Sequence, residues 1–246
     1  PVICPGPHVY CIIRTIFKSC KQSSSTMEQS VYVIIPAHNE AKNIAVVLRK
    51  TKKYSKNIIV VDDGSKDNTL ETAEKEKVIV LRHIVNLGKG SALKTGCDFA
   101  IQQGATHLIV MDADTQHKPE DIPRFLEELK DHDAVLSYRK MRTSMPPILK
   151  FGNWFLNKSI KYLYGVDIKD SQCGYRAFSV RAYKKIRWKS SDYSMESEMI
   201  AKIGKYRVSF SEIPIDTIYA DRYKGTTIVD GIKIVLNLLF WKVNNI

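Results

Sequence analysis

Apolar residues gather along this chain in short blocks separated by longer amphipathic stretches. The blocks fall at Val31 to Ile35, Asn57 to Val61, Val78 to Leu81, Leu108 to Met111, Ala134 to Tyr138 and Val208 to Ile213, and most are rich in β-branched residues. Runs of this length bounded by turn residues read as buried strands. Between them, apolar residues recur at helical spacing: Glu40 to Lys53 carries Ile44, Val47 and Leu48 on one face and lysines on the other. Asn39 is the expected cap of that helix, and Asp67, Asn68 and Thr69 open the next. Further helices are expected from Ser91 to Gly104, from Pro119 to His132 and around Met195 to Met199, with Pro214 closing the last strand. Strands joined by helical crossovers imply parallel pairing and right-handed connections, an α/β layer of the nucleotide-binding type.

The chemistry-bearing residues stand where strands end, at the carboxyl edge where open α/β sheets bind ligands. Asp62-Asp63-Gly64-Ser65 follows the second strand, Asp112-Ala113-Asp114-Thr115-Gln116 the fourth and Arg139 the fifth. Asp112 and Asp114 repel each other unless a cation or several donors lie between them, which points to a divalent metal with oxygen ligands, Mg²⁺ or Mn²⁺. The competing reading is two acidic residues in a solvated turn, one of them capping a helix. Asn86, Gly88 and Gly90 make a tight turn at a helix start where free N–H groups suit a phosphate, with Lys89 adding charge; the alternative is an ordinary glycine turn with a surface lysine. Glu196 and Glu198 lie two apart on a helix and face different ways, so one could act as a base toward a hydroxyl acceptor; otherwise they are surface charge. His117 reads as a packing or capping residue.

Composition narrows the setting. A chain of 246 residues suits one large α/β domain, here residues 31–223, with an N-terminal extension over 1–30 and a C-terminal amphipathic helix over 224–246. The extension is expected to be disordered or non-native, ahead of a start at Met27. Five cysteines without a C-x-x-C spacing argue against a disulfide framework or a zinc site and suit a reducing cytosol. No window reaches the ~18 to 20 apolar residues that a membrane-spanning helix needs. The net charge of +12 attracts phosphates, nucleic acid or an anionic membrane. Arg139 to Lys161 mixes basic residues with Trp154-Phe155-Leu156, and Ile228 to Val243 spaces Val229, Ile232, Val235, Leu236, Leu239, Phe240 and Val243 helically between Lys233 and Lys242. The latter reads as a helix lying in a membrane interface, or equally as one packed on the domain or a partner.

Taken in order, Pro36-Ala37-His38-Asn39-Glu40, Asp62-Asp63-Gly64-Ser65-x-Asp67, Asn86-x-Gly88-x-Gly90 and Met111-Asp112-Ala113-Asp114-x-Gln116-His117-x-Pro119-Glu120 resemble the family 2 glycosyltransferases with the GT-A fold. Asp170-x-x-Cys173-Gly174-Tyr175-Arg176 is similar to the branch containing dolichyl-phosphate mannose and glucose synthases. The resemblance implies a mostly parallel sheet flanked by helices. It also implies transfer of a sugar, with inversion, from a GDP- or UDP-linked donor to a polyprenyl or dolichyl phosphate, by a peripheral enzyme on the cytosolic membrane face. Under that resemblance Pro36, Ala37, Glu40 and Val61 line the base and ribose, and Asp63 reads the base edge with Asp62 beside it. For Asp62, support of the turn through backbone amides is an equal alternative.

Lys89 and Ala113 lie near the donor, and Asp114 and Gln116 hold the metal, with Asp112 at the metal or the ribose. Arg139 and Arg222 hold phosphates, while Arg176 does the same or braces the site through an ion pair to Asp170. The family's glycine-serine-lysine segment is replaced here by Gly225-Thr226-Thr227, leaving Lys224 as the substitute. A lipid phosphate, with a second pKa of ~6, is mostly dianionic at neutral pH and needs cations to hold it more than a base to activate it. Three alternatives stand beside this reading: a hydroxyl acceptor on a glycan or lipid, an Mg²⁺-binding receiver-type signalling domain, and a nucleic-acid binder motivated by the charge. Nucleic acid is not the expected partner.

Overall fold

A computed structural model describes residues 29–140, 147–216 and 228–244. Most of the N-terminal extension, together with Arg222 and Lys224, lies outside the described residues. The apolar blocks form strands as expected: β1 (Val31–Ala37), β2 (Ile58–Asp63), β3 (Ile79–His83), β4 (His107–Val110), β5 (Ala134–Arg139) and β7 (Phe210–Ile215). One strand escaped the sequence reading. Arg176–Ser179 is β6, and it inserts antiparallel between β4 and β5 in a seven-stranded sheet ordered β3-β2-β1-β4-β6-β5-β7. All other neighbouring pairs are parallel. Pro214 does not close β7 but lies inside it; β7 pairs only with β5 at the sheet edge, where a missing N–H costs no ladder bond.

Helices cover both faces: α1 (Ile44–Thr51), α2 (Thr69–Lys75), α3 (Lys89–Gln102), α4 (Ile122–Glu128), α5 (Pro147–Tyr164), α6 (Val180–Ile186), α7 (Met195–Lys205) and α8 (Ile228–Val243). One apolar layer joins Ile34, Val61 and Leu108 to α3, α5, α6, α7 and α8. The other joins Val33, Ile35 and Ile109 to α1 and α4. Gly96 lets α3 approach the sheet closely, since a Cβ there would stand 2.5 Å from Ile34 Cγ2 and 3.0 Å from Val61 Cγ2. The first helix starts later than its pattern suggested. Asn39 is left-handed (φ 56°) and its side-chain oxygen accepts the Lys66 amide, so it ties the β1 loop to the β2 loop and caps nothing.

The C-terminal helix divides its apolar residues between two faces. Ile234, Leu238 and Trp241 are buried with residues of α5 and α7, Tyr164 Oη donates to the Leu238 carbonyl at 2.7 Å, and Lys233 pairs with Asp192 at 2.5 Å. Leu236, Leu239, Phe240 and Val243, an i, i+3, i+4, i+7 row, stay exposed, Val243 by 84%. Among the described residues no helix is long and apolar enough to cross a membrane.

Candidate active site

Because β1 to β5 all point the same way, their outgoing loops meet at one edge. Antiparallel β6 enters from that edge, so residues 170–175 join them there. The β1 and β2 loops are stitched together. The Asn39 amide donates to Ser65 Oγ (2.9 Å), Glu40 N–H to Thr69 Oγ1 (2.8 Å) and Ala41 N–H to Asp67 Oδ2 (3.2 Å). Ala37 pairs with Asp62 and Pro36 with Val61 in the sheet register. Val61 was expected at the donor, but its side chain packs on Gly96 of α3 in the core and only its backbone lies near the edge.

The paired aspartates of β2 do different jobs. Asp63 is buried, and its two oxygens accept His83 Nδ1 (2.7 Å), Leu87 N–H (2.9 Å) and Gly88 N–H (2.8 Å). Burial alone would raise its pKa, but these bonds hold it below the ordinary value. Its place is therefore under the glycine turn, which corrects the expectation that it reads a base edge. Asp62 accepts the Ser65 amide on Oδ1 (3.3 Å), while Oδ2 is buried without a hydrogen-bond partner, with Arg82 Nε 3.4 Å away. Of the two, Asp62 is the one with spare acceptor capacity.

The glycine turn is not an open amide cradle. Besides Gly88, whose N–H goes to Asp63, the Gly90 amide donates to the Ser191 carbonyl at 2.8 Å, and a Cβ at either glycine would collide with residues 190–191. The anion-binding capacity at this end of α3 lies in Lys89. It is not a surface lysine: Nζ sits 2.7 Å from Asp112 Oδ1 and 3.1 Å from Glu196 Oε1, with Tyr193 alongside. Burial would lower its pKa, but the two carboxylates push it above the usual lysine value, so it is a fixed positive charge.

Asp112 and Asp114 occupy the turn after β4, where Thr115 is left-handed (φ 68°). The Asp112 N–H donates to His117 Nδ1 at 3.1 Å, and His117 stacks on Tyr175. Burial brings the imidazole down to about 4, so it is neutral and positions Asp112 as an acceptor rather than as an ion-pair partner. For Asp112, burial raises the pKa, yet the Lys89 ammonium, with Arg139 adding to it, brings it below the ordinary range. Asp114 moves the other way, to about 6, because of burial and the Asp112 charge beside it, with Glu40 adding repulsion. A divalent cation would relieve that repulsion. The donor set fits Mg²⁺ or Mn²⁺: hard carboxylate oxygens from Asp112 and Asp114, with Gln116 hydrogen-bonded to Asp114 at 2.8 Å and 3.1 Å. Among the described residues no group of three or more His, Cys, Asp or Glu side chains could hold a metal alone, so phosphate and water oxygens would complete the shell.

Across the cleft, Asp170 grips Arg139 through Nε (2.7 Å) and Nη2 (3.1 Å) and fixes it at the end of β5. The expected Asp170–Arg176 pair is not formed. Arg176 is buried, with its donors on the carbonyls of Cys173, Glu196 and Ser171, so it braces the 171–173 turn against α7 and does not face a ligand. The two glutamates of α7 are not surface charge. Glu198 binds the amides of Lys189 and Ser190 (both 2.8 Å), Ser190 Oγ and Lys202, while Glu196 faces Lys89. No sequence signal announced the Lys89–Glu196 contact, since α3 and α7 meet only in the folded chain.

Comparison with known proteins agrees with this arrangement. The model of glycosyl transferase family 2 matches residues 32–187. The chain is 38% identical to an uncharacterised protein of Methanocaldococcus jannaschii, over 92% of this chain and 98% of that one. It is 35% identical to the UDP-N-acetylglucosamine–dolichyl-phosphate N-acetylglucosaminyltransferase of Methanococcus voltae, over 89% and 98%. Among solved structures, glucosyl-3-phosphoglycerate synthase of Mycobacterium tuberculosis in complex with UDP superposes with a TM-score of 0.71 at 17% identity, covering 92% of this chain and 87% of that one. The same synthase has been solved with Mn²⁺ and UDP. With its mostly parallel sheet, its strand-end motifs and these relatives, the chain belongs to glycosyl transferase family 2 and has the GT-A fold of a glycosyltransferase.

Proposed function

We propose that the chain transfers a sugar, with inversion, from a nucleoside diphosphate donor, UDP-linked in the first instance, to a polyprenyl or dolichyl phosphate. The observation that carries this reading is the charge pattern of the cleft: Asp112 and Asp114 on one strand end, with Lys89 and Arg139 held by carboxylates around them. Relatives named for dolichyl-phosphate and undecaprenyl-phosphate transfer support the lipid phosphate acceptor.

In this reading Pro36, Ala37, Glu40 and Asp62 frame the base and ribose. Asp112, Asp114 and Gln116 would hold a divalent metal, which when bound would supply charge neutralisation for the leaving diphosphate. Lys89 adds a fixed positive charge on the same oxygens. Arg139, with Arg222 and Lys224 from the segment after β7, holds the acceptor phosphate, whose own dianion is the nucleophile. A hydroxyl acceptor would need a general base. Glu198 has every acceptor site engaged in holding the 188–191 turn and Glu196 is committed to Lys89, which favours the phosphate.

The exposed row on α8, beside Lys242, fits a helix resting on the surface of a membrane with its buried row on the domain. In this reading the enzyme works peripherally on the cytosolic face, where lipid phosphate and nucleotide sugar meet, with residues 31–223 as the catalytic domain. A thermal-shift screen of UDP- and GDP-sugars tests the donor: UDP-linked sugars should stabilise the chain only with Mn²⁺ or Mg²⁺ present. Stabilisation by GDP-sugars alone would change the base, and no metal-dependent stabilisation by any donor would refute the proposal.

A further inference from the structure

Glu196 is buried to 2% exposure, yet its carboxylate makes few contacts. Oε1 meets Lys89 Nζ at 3.1 Å and Oε2 has no hydrogen-bond partner. Two residues on, Glu198 shows what a structural carboxylate looks like here, with two amides, a hydroxyl and a lysine bound. The hydrogen bond from Arg176 to Glu196 goes to its backbone carbonyl, which any residue would supply, while the carboxylate adds charge attraction toward the buried guanidinium. A buried, half-satisfied carboxylate is costly, and an apolar side chain of the same volume would suit the core better. Its only direct ion pair among the described residues is with Lys89, and that contact aims it at the site.

Two further groups crowd Lys89, whose side chain stays 17% exposed. Asp112 Oδ1 lies 2.7 Å from Nζ, and a Cβ at Gly174 would come within 2.7 Å of the same Nζ and 3.1 Å of Asp112 Oδ2. We infer that Glu196 is a positioning residue for Lys89, keeping its ammonium at the diphosphate site when Asp112 turns to the metal or ribose. This rests on the donor reading above. In that state the ammonium gives one N–H to Glu196 and keeps two for phosphate oxygens. Without Glu196 it would lose its second counter-charge at the moment Asp112 is engaged, and its stem would be free to leave the site.

The test is a double-mutant cycle on binding of UDP with Mn²⁺, read by calorimetry, with melting temperatures as the folding control. Glu196→Gln should weaken binding roughly tenfold, the size of one charge-assisted hydrogen bond. Glu196→Met should do the same with the fold intact, and Glu196→Asp should stay within about threefold of the wild type. Lys89→Met combined with Glu196→Gln should bind no more weakly than Lys89→Met alone. Additive losses, or unchanged affinity in Glu196→Gln, would overturn the inference, as would failure of both Glu196→Gln and Glu196→Met to fold. A fall in turnover at saturating donor with unchanged donor affinity would instead make Glu196 a base. If the wild-type chain bound no UDP with Mn²⁺, the donor reading would fail and this inference with it.

Discussion

Asp114 shows how a site residue can oppose the stability of its own fold. Its pKa rises from 3.8 to about 6 through burial and the neighbouring Asp112, so the folded chain favours the protonated form. That form carries no penalty below the unfolded value, and the penalty is full once pH exceeds about 6. Asp114→Asn, measured without metal, should therefore raise the melting temperature at pH 7 to 8, through a stability gain on the order of 2 kcal/mol at most, while Gln116 turns its amide over to suit the new side chain. The gain should shrink between pH 6 and 4. A lower melting temperature at pH 8 would show that the turn needs the charge. Asp112, Asp114 and Arg139 were legible because each follows an apolar run directly, which locates it at a strand end. The bonding of Asp63, Arg176 and Glu196 was not, because their partners come from other loops. Arg176 follows Asp170 closely in sequence, but antiparallel β6 turns it inward, and Asp170 meets Arg139 instead.

At the scale of elements, parallel strands declared themselves because burial on both faces demands continuous apolar runs. β6 did not, since four residues beginning with arginine carry no such run. The late start of α1 was hidden for a similar reason: residues 39–41 spend their hydrogen bonds on the β2 loop, a tertiary choice that local propensity does not express. Gly96 reads as a helix-weakening residue in sequence but is the contact between α3 and the sheet. Gly96→Ala should cost about 1 to 3 kcal/mol by overpacking against Ile34 and Val61, seen as a lower denaturation midpoint. No loss would mean that α3 can shift outward freely. For α8, replacing Leu239 and Phe240 with Glu should abolish flotation with anionic liposomes and leave the melting temperature and UDP binding near wild type, since both side chains point away from the core. Flotation that persists in the double variant would take the membrane contact away from this face.

For the whole molecule, the sheet brings loops spread from Pro36 to Arg176 to a single edge, in a chain whose overall net charge is +12. The fold class was readable from strand and helix spacing because α/β crossovers impose it; the partition of the edge into donor frame, metal turn and braced cations required the three-dimensional arrangement. The central claim is that the acceptor is a lipid phosphate. The most direct measurement is release of UDP from UDP-N-acetylglucosamine and UDP-glucose with Mn²⁺, in the presence of a polyprenyl phosphate or of the matching polyprenol. The account predicts release, with formation of a sugar-linked lipid phosphate, from at least one donor with the phosphate. It predicts none with the alcohol, and loss of the reaction in Asp114→Ala. Equal release with the alcohol, or release that is indifferent to the lipid phosphate, would contradict it.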